Sequence, residues 1–218
     1  MKALIAGAGA HGRVVLDIAR ACGRYDRLAF VDDDLGLSGK SINGATVESG
    51  LAPALQARGD VEFLLALGHP DARMAVLRRL MEAGVRIGNA IHPSAVLMPS
   101  ACVGFGLTIA AAAVVNSNAR IGNGVIVNTA AVVEHDCEVE DGATVAPGVQ
   151  LGGRVRIGYG AFVGTGAIVL PRVRIGERSV IAAGSIVTKD VPARVLVMGS
   201  PASIRAETGD DFDWSRVL

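Results

Sequence analysis

One histidine lies in a sequence context that suits proton transfer. His135 is flanked by Glu134 and Asp136 in the segment VVEHDCEVE, which interrupts a stretch rich in alanine and valine. A neutral imidazole near pH 7 can take a proton from an attacking amine or hydroxyl, and a neighbouring carboxylate can fix its tautomer. The alternative interpretation is a solvated histidine in a turn, but the concentration of charge around the ring favours a functional role.

Small residues downstream of this histidine suit the binding of an acyl thioester. The segment LGGR contains Gly152 and Gly153, whose backbone N–H groups can face a thioester oxygen, although glycine is also common in turns. An extended thiol cofactor can lie along the small residues of the later segments FVGTGAIVLP and VIAAGSIVTKDV. The candidates there are Gly164, Thr165, Ala182 and Ala183, with Lys189 placed to meet phosphates.

The N-terminal segment ALIAGAGAHGRVV carries glycines at the spacing Gly7-x-Gly9-x-x-Gly12, and Asp32 follows twenty residues after the last of them. This pattern formally fits a dinucleotide fingerprint. A complete dinucleotide fold needs two mononucleotide-binding halves, and only about 87 residues precede a change of pattern, which disfavours an NAD-dependent oxidoreductase. One half can hold one nucleotide, with phosphate at the helix N-terminus and ribose or base at Asp32 or Asp33.

Residues 1–87 alternate strand-like and helix-like segments. KALIAGA, LAFVDDD and VEFLLALG are typical of buried strands, whereas HGRVVLDIARACG, LAPALQARG and PDARMAVLRRLMEAG have apolar residues at helical spacing. Strands that alternate with helices predict an α/β domain with a small Rossmann-like parallel sheet.

Residues 88–218 follow a different pattern, in which every sixth residue from Ile91 to Val187 is aliphatic. Two positions before most of these lies a small residue, and glycine often follows. A period of six predicts a parallel β-helix, in which three hexapeptides form one triangular coil and the aliphatic side chains point inward. His135 follows the inward Val133 by two residues, so it is expected at a turn. The repeats alone are also compatible with a purely structural solenoid.

The composition limits the function classes. The 218 residues include 21 Lys+Arg and 21 Asp+Glu, so there is no electrostatic case for nucleic acid or an acidic membrane. The three cysteines, Cys22, Cys102 and Cys137, are widely spaced, which favours a reducing compartment and indicates no metal site. No signal peptide and no apolar stretch of membrane-spanning length is recognisable. We therefore expect a cytoplasmic protein.

The combination of GAGAHG with a following FVDDD, a central VVEHDC, LGG, SIVTKDVP and a terminal GSPA resembles one acyltransferase family. The resemblance runs from Lys2 to about Arg205. This family contains the nucleotide-4-amino-sugar N-acetyltransferases of bacillosamine- and perosamine-type bacterial glycan pathways and the sialic-acid O-acetyltransferases. It implies left-handed coils for the β-helix and acetyl-CoA as the acyl donor.

The resemblance also implies roles for single residues. His135 corresponds to the general base, Asp136 to the carboxylate that orients it, and Gly153 to the glycine whose amide meets the acetyl carbonyl. The implied substrate contacts are Asn128 near the sugar amine, Asp32 and Asp33 at base and ribose, and Gly9, His11 and Gly12 at the phosphates. Two positions depart from the family pattern: Thr144 replaces a second histidine found near acetyl-CoA in some relatives, and His69 takes a place that is often asparagine.

Together these observations predict an acetyl-CoA-dependent N-acetyltransferase that acts on a nucleotide-linked amino sugar and needs no metal. Gly153, Gly164, Thr165, Ala182, Ala183 and Lys189 are the predicted acetyl-CoA contacts. O-acetylation of a sugar such as a sialic acid, and a non-catalytic nucleotide-binding module, remain open, as does the identity of nucleotide and sugar. Because His135 needs a facing wall to make a closed site, we expect a homotrimer with sites between subunits.

Overall fold

The structure, a computed structural model, describes residues 1–56, 60–209 and 212–213. Residues 57–59 of the predicted helix LAPALQARG, and residues 210–211 and 214–218 of the predicted C-terminal tail, lie outside the described residues. The elements of the N-terminal half are β1 (Lys2–Ala6), α1 (Ala10–Cys22), β2 (Arg27–Val31), a 3₁₀ turn (Leu35–Leu37), β3 (Ser41–Ile42), β4 (Ala45–Ser49), α2 (Leu51–Ala54), β5 (Val61–Leu65) and α3 (Pro70–Glu82).

The N-terminal sheet is parallel with one exception. Its strand order is β3-β4-β2-β1-β5, and β1 pairs in parallel with both β2 and β5. The three predicted strands are confirmed. Strands β3 and β4 were not predicted; they form an antiparallel hairpin at the sheet edge. Its turn is Asn43–Gly44, and both residues have positive φ, the backbone that two-residue hairpins require.

The predicted six-residue repeat is confirmed along its whole length. Each predicted aliphatic residue from Ile91 to Val187 ends a two-residue strand. These strands are β6 (Ala90–Ile91), β7 (Val96–Leu97), β8 (Cys102–Val103), β9 (Thr108–Ile109), β10 (Val114–Val115), β11 (Arg120–Ile121), β12 (Ile126–Val127), β13 (Val132–Val133), β14 (Glu138–Val139), β15 (Thr144–Val145), β16 (Gln150–Leu151), β17 (Arg156–Ile157), β18 (Phe162–Val163), β19 (Ile168–Val169), β20 (Arg174–Ile175), β21 (Val180–Ile181) and β22 (Ile186–Val187). A final hairpin, β23 (Val195–Gly199) and β24 (Ala202–Glu207), extends one of the resulting sheets.

The strands stack into three parallel sheets whose outward residues differ in character. The covered face contains β6, β9, β12, β15, β18 and β21 with the final hairpin; the aliphatic face contains β7, β10, β13, β16, β19 and β22; the charged face contains β8, β11, β14, β17 and β20. Register partners lie eighteen residues apart, as with Val114 and Val132. The inward aliphatic residues and the small residues two positions before them fill one continuous core.

Two columns of turns flank the aliphatic face. The aliphatic–charged edge is formed by the turns at 117–118, 135–136, 153–154 and 171–172, and the covered–aliphatic edge by those at 111–112, 129–130, 147–148, 165–166 and 183–184. The second residue of each turn has a left-handed backbone, as in Asp136 with φ 58°. Each turn stacks on its equivalent in the next coil, about 4.8 Å away.

Arg73 docks the N-terminal half onto the β-helix. It lies on α3 and is 1 % exposed. On the N-terminal side its guanidinium donates to the carbonyls of Leu67 (3.0 Å) and Gly68 (2.6 Å). On the β-helix side it donates to the carbonyls of Gly124 (2.6 Å) and Gly142 (2.7 Å), and to the Thr144 hydroxyl (2.9 Å). Burial lowers the pKa of Arg73 to about 10, so the side chain stays protonated at neutral pH.

We predict that Arg73→Met lowers the free energy of unfolding by about 3 kcal/mol or more, because each buried acceptor left without a donor costs roughly 1–3 kcal/mol. Arg78→Met on the exposed side of the same helix is the matched control and should change stability by less than about 0.5 kcal/mol. Urea unfolding followed by circular dichroism measures both. Equal effects of the two substitutions would contradict the docking role of Arg73.

Candidate functional site

His135 and Asp136 form a hydrogen-bonded pair on the aliphatic–charged edge. The Nδ1 atom of His135 lies 2.9 Å from Oδ2 of Asp136. The turn requires a left-handed backbone at its second residue, a conformation that aspartate tolerates better than most residues, and this aims the carboxylate at the ring. A carboxylate at Nδ1 selects the tautomer with its proton there and leaves Nε2 as an acceptor.

Neighbouring coils hold the Asp136 carboxylate in place. Asn118, its equivalent one coil earlier, donates to Oδ1 at 3.2 Å, and the Arg154 guanidinium, one coil later, lies 3.6 Å from Oδ2. The hydrogen bond from His135, then that from Asn118, lowers the pKa of Asp136 below its usual value. The carboxylate therefore remains charged beside the imidazole at neutral pH.

Gly153 lies directly against the His135 ring, one coil further along the same edge. A Cβ atom on Gly153 would lie 2.5 Å from Nε2 of His135 and 2.7 Å from Cε1. The positive φ in this turn belongs to Arg154 and not to Gly153, so turn geometry does not require glycine here. Glycine is required because any side chain at this position would overlap the imidazole of His135.

The Gly153 N–H makes no hydrogen bond to any residue that the structure describes. At the equivalent positions one and two coils earlier, this N–H is taken by the side chain of the preceding residue: Glu134 for His135 (3.1 Å) and Asn116 for Ser117 (2.9 Å). The residue before Gly153 is Gly152, which has no side chain. Beside Nε2 of His135 there is therefore an available backbone donor, the combination that transfer of an acyl group requires.

The predicted cofactor contacts divide between the two edges. Gly153 and Lys189 follow the aliphatic face, on the side of His135, and the other four lie on the covered–aliphatic edge. These four, Gly164, Thr165, Ala182 and Ala183, line a cavity of about 650 Å³ whose opposite wall includes Leu196, Met198 and Phe212. Within one chain the aliphatic face separates them from His135.

A second cavity, of about 620 Å³, lies between the N-terminal half and the covered face. Gly9, His11, Asp32 and Asn128, four of the predicted substrate contacts, line it together. It shares Phe162 and Thr165 with the first cavity, so the two are adjacent. Asp32 accepts from the backbone N–H groups of Ala8 (2.8 Å) and Asp34 (2.9 Å), which fixes the loop after β2.

Gly12 and Asp33, the remaining predicted substrate contacts, do not line this cavity. Gly12 packs α1 closely against the turn after β1, where a Cβ atom would overlap the Gly7 carbonyl. The Asp33 carboxylate accepts from the Leu51 N–H (2.7 Å) at the start of α2 and pairs with Arg79 (3.1 Å). These two contacts lower the pKa of Asp33.

His11 presents a buried ring to the second cavity. Its Nε2 atom is inaccessible and has no hydrogen-bond partner among the described residues. Burial, and secondarily the charge of Arg73, lowers the pKa of His11 to about 4, so the ring is neutral at pH 7. A neutral imidazole offers one donor and one acceptor to a molecule that enters the cavity.

The two positions that depart from the family pattern also line the second cavity. His69 is the N-cap of α3, where Nδ1 accepts from the Asp71 N–H at 3.2 Å. Thr144 is held by Arg73. Arg73 was not predicted from the sequence. A charged residue on the same face of α3 as the buried Leu77 and Leu80 was the pattern that could have indicated it.

In the ranges 1–56, 60–209 and 212–213, no cluster of three or more His, Cys, Asp or Glu side chains could hold a metal ion. No helix in the same ranges has the length and apolar character needed to cross a membrane.

Comparisons with known proteins agree with this architecture. Residues 2–80 match the family described as PglD N-terminal domain, and residues 154–189 match the bacterial transferase hexapeptide family. A histidine-to-alanine variant of GDP-perosamine N-acetyl transferase from Caulobacter crescentus, solved with CoA and GDP-perosamine, is 35% identical; the match covers 95% of this chain and 98% of that chain with a TM-score of 0.90.

Two further solved structures are similar over nearly their whole length. The acetyltransferase domain of PglB from Neisseria gonorrhoeae, in complex with acetyl coenzyme A, is 33% identical, with 94% of this chain and 98% of that chain covered and a TM-score of 0.89. WeeI from Acinetobacter baumannii is 28% identical, with 94% and 100% covered and a TM-score of 0.87.

We predict that His11 makes the protein less stable as the pH falls from 6.5 to 4. Its folded pKa of about 4 lies below the ordinary histidine value of 6.5, so in this window the unfolded chain binds the proton more tightly. The loss should reach about 2 kcal/mol by pH 5, above the range in which carboxylates titrate. Urea unfolding at pH 7 and pH 5 measures it.

His11→Gln should remove this part of the pH dependence, whereas His92→Gln should retain it, because His92 is a half-buried residue beside a turn whose ring contacts Ser94. A His11→Gln variant that loses as much stability as the parent between pH 7 and pH 5 would contradict the prediction.

Proposed function

This chain belongs to the hexapeptide-repeat family of nucleotide-amino-sugar N-acetyltransferases, and we propose that it transfers acetyl from acetyl-CoA to the amine of a nucleotide-linked amino sugar with His135 as general base. The proposal depends above all on one observation: Nδ1 of His135 is held by Asp136, and Nε2 lies beside Gly153, whose N–H has no hydrogen-bond partner among the described residues.

The reaction follows from these groups. The neutral amine attacks the carbonyl carbon of the thioester, and its proton passes to Nε2 of His135. Asp136 stabilises the imidazolium that forms, while the Gly153 N–H donates to the oxygen that becomes negative in the tetrahedral intermediate. Collapse of the intermediate breaks the C–S bond, and the CoA thiolate takes the proton from His135. The products are an amide and a free thiol.

Each substrate has a suitable cavity. The cavity lined by Gly9, His11 and Asp32 lies at the N-terminus of α1 and suits the nucleotide, and Asn128 on its opposite wall suits the sugar amine. The adjacent cavity is lined by the small residues Thr165 and Ala183, and suits acetyl-CoA. Lys189 lies on the edge of His135, in position for a CoA phosphate.

We propose a homotrimer built around the aliphatic face. Its outward residues are Val96, Val114, Val132, Gln150, Ile168 and Ile186, all but one aliphatic. Val96 is 46% and Ile168 40% exposed in the single chain. The covered face is occupied by the N-terminal half, and the charged face carries Arg120, Glu138, Arg156 and Arg174 outward. Among the three faces formed by the described strands, the aliphatic face is the one whose outward residues are mainly apolar and can be buried by other copies.

A threefold arrangement also completes the site. When a triangular prism turns one face to a threefold axis, one edge of that face meets the opposite edge of the next copy. His135 and Gly153 of one copy then lie beside Asn128 and Thr165 of its neighbour. This geometry supports a site shared between subunits, since within one chain the aliphatic face separates the two groups.

We also propose that the protein works in the cytoplasm and that its two domains meet near residue 87. The first proposal is supported by three unpaired cysteines, Cys22, Cys102 and Cys137, as expected of a reducing compartment. The second is supported by the change in structure at this point. Ile87 still pairs with Phe63 of the N-terminal sheet, and the first hexapeptide strand, β6, begins at Ala90.

We predict that His135→Ala lowers kcat by roughly 10²–10⁴-fold, the usual contribution of a general base. Asp136→Asn should lower it less, because the carboxylate only orients and stabilises the ring. The assay follows free thiol with acetyl-CoA and a panel of UDP-, GDP- and dTDP-linked 4-amino sugars, with a sialic acid as the O-acetylation alternative. His92→Ala is the control and should retain full activity, because His92 lines neither cavity. A His135→Ala enzyme with more than about a third of the parental kcat would leave only the solvated-turn interpretation.

We predict that Ile168→Glu converts the trimer into monomers, because it places a charge in every contact around the axis, and that activity falls with the trimer. Light scattering coupled to gel filtration measures the mass. Ile204→Glu is the matched control: Ile204 is 56% exposed but lies on β24, outside the aliphatic face. An active parental monomer would refute the shared site.

A further inference from the structure

Arg73 carries a buried positive charge without a negative partner. Its acceptors are the carbonyls of Leu67, Gly68, Gly124, Gly142 and Ala143 and the hydroxyl of Thr144. All are neutral, and no carboxylate contacts the guanidinium in the ranges that the structure describes. A buried cation that neutral dipoles solvate is costly, and a nearby anion lowers that cost.

Thr144 has a hydroxyl proton that no described residue accepts. Its oxygen accepts from Nη2 of Arg73 at 2.9 Å, and a hydroxyl that accepts one hydrogen bond can still donate its own proton. Thr144 is 5 % exposed and points outward from the covered face, between its register partners Ile126 and Phe162. Thr144 and both register partners line the second cavity, so the hydroxyl can donate its proton only to a molecule bound in that cavity.

We propose that Thr144 donates a hydrogen bond to an oxygen of the nucleotide diphosphate, and that Arg73 positions and polarises this hydroxyl. The inference rests on the proposed function and adds a specificity residue to it. Arg73 touches the cavity wall at Leu67, Gly68 and Thr144, which brings its charge close to the ligand without direct contact. A hydroxyl that accepts a hydrogen bond from Arg73 becomes a stronger donor.

The diphosphate explains these observations better than a sugar hydroxyl. A sugar hydroxyl would satisfy the Thr144 proton but leave the charge of Arg73 uncompensated. Phosphate oxygens are acceptors only, match the available donor, and supply negative charge. The N-terminus of α1 opens onto the same cavity and can donate to phosphate, and His11 also lines this cavity.

The experiment measures dissociation constants of Thr144→Val and Thr144→Ser by calorimetry. The ligands are a nucleoside, its diphosphate and its diphosphate-linked 4-amino sugar, run in the guanosine, uridine and thymidine series, together with acetyl-CoA. Thr144→Val is expected to weaken binding of the diphosphate and of the diphosphate sugar by the same factor, about tenfold, the size of a hydrogen bond to a charged group. Binding of the nucleoside and of acetyl-CoA should be unchanged, and Thr144→Ser should restore the parental values.

Thr108→Val is the matched control, because Thr108 is also buried and points outward from the covered face, but does not line the cavity. A Thr144→Val protein that binds the diphosphate normally but the diphosphate sugar weakly would overturn the assignment in favour of the sugar. Weakened binding of acetyl-CoA alone would overturn it in favour of the other substrate. If the parental protein binds none of the three diphosphates or their sugars, the proposed function itself fails.

Discussion

The buried guanidinium of Arg73 is the contact on which the arrangement of the two halves depends. The outer surface of a β-helix repeats at every coil, so apolar packing alone would allow the N-terminal half to slip along it. The backbone carbonyls of Gly124 and Gly142 repeat in the same way. The Thr144 hydroxyl does not recur one coil away, where the equivalent residues are Ile126 and Phe162; the nearest equivalent threonine, Thr108, lies two coils earlier. A donor that must satisfy this hydroxyl therefore resists a slip of one coil in either direction, and the cavity between the halves takes its shape from the docked position.

The regular repeat of the β-helix fixes the spacing of residues along the aliphatic–charged edge. Each coil brings residues eighteen apart into register, so the positions of Asn118, Asp136 and Arg154 follow from the chain spacing without any long-range search. The same spacing places Gly153 under His135. Because the turns are tight and their hydrogen bonds run between coils, the imidazole is held by its neighbours above and below although it is exposed to solvent. A catalytic group on an irregular loop would need other packing to achieve this.

The sequence predicted whatever depends on local or periodic pattern. The strands from Ile91 to Val187, the helices Ala10–Cys22 and Pro70–Glu82, and the adjacency of His135 and Asp136 all belong to this class. The β3–β4 hairpin was missed despite its Asn43–Gly44 turn, because its edge strand β3 has only two residues. The docking by Arg73 could not be predicted from the sequence. Its backbone acceptors lie up to 70 residues away, and every residue type has a carbonyl, so no residue type marks them.

The different contacts of Asp32 and Asp33 could not be predicted from the sequence either. Adjacent residues of one type look interchangeable in a sequence. Here Asp32 lines the cavity, whereas the Asp33 carboxylate accepts from the start of α2 and pairs with Arg79. The Asp32 carboxylate is held by the backbone N–H groups of Ala8 and Asp34, and that of Asp33 by the N–H of Leu51, partners that a sequence does not mark.

The fixed interval between His135 and Gly153 constrains how such a chain can change over generations. Outward-facing residues of the coils can be exchanged with little effect on the core, so substitutions can accumulate. A single inserted or deleted residue between positions 135 and 153 would rotate every later side chain away from its inward or outward position and remove the glycine from beneath the imidazole. Length can be gained without this damage only outside this interval, by whole coils of eighteen residues or in turns away from the aliphatic–charged edge. Genes for proteins of this architecture should therefore diverge by replacement and lengthen in quantised steps.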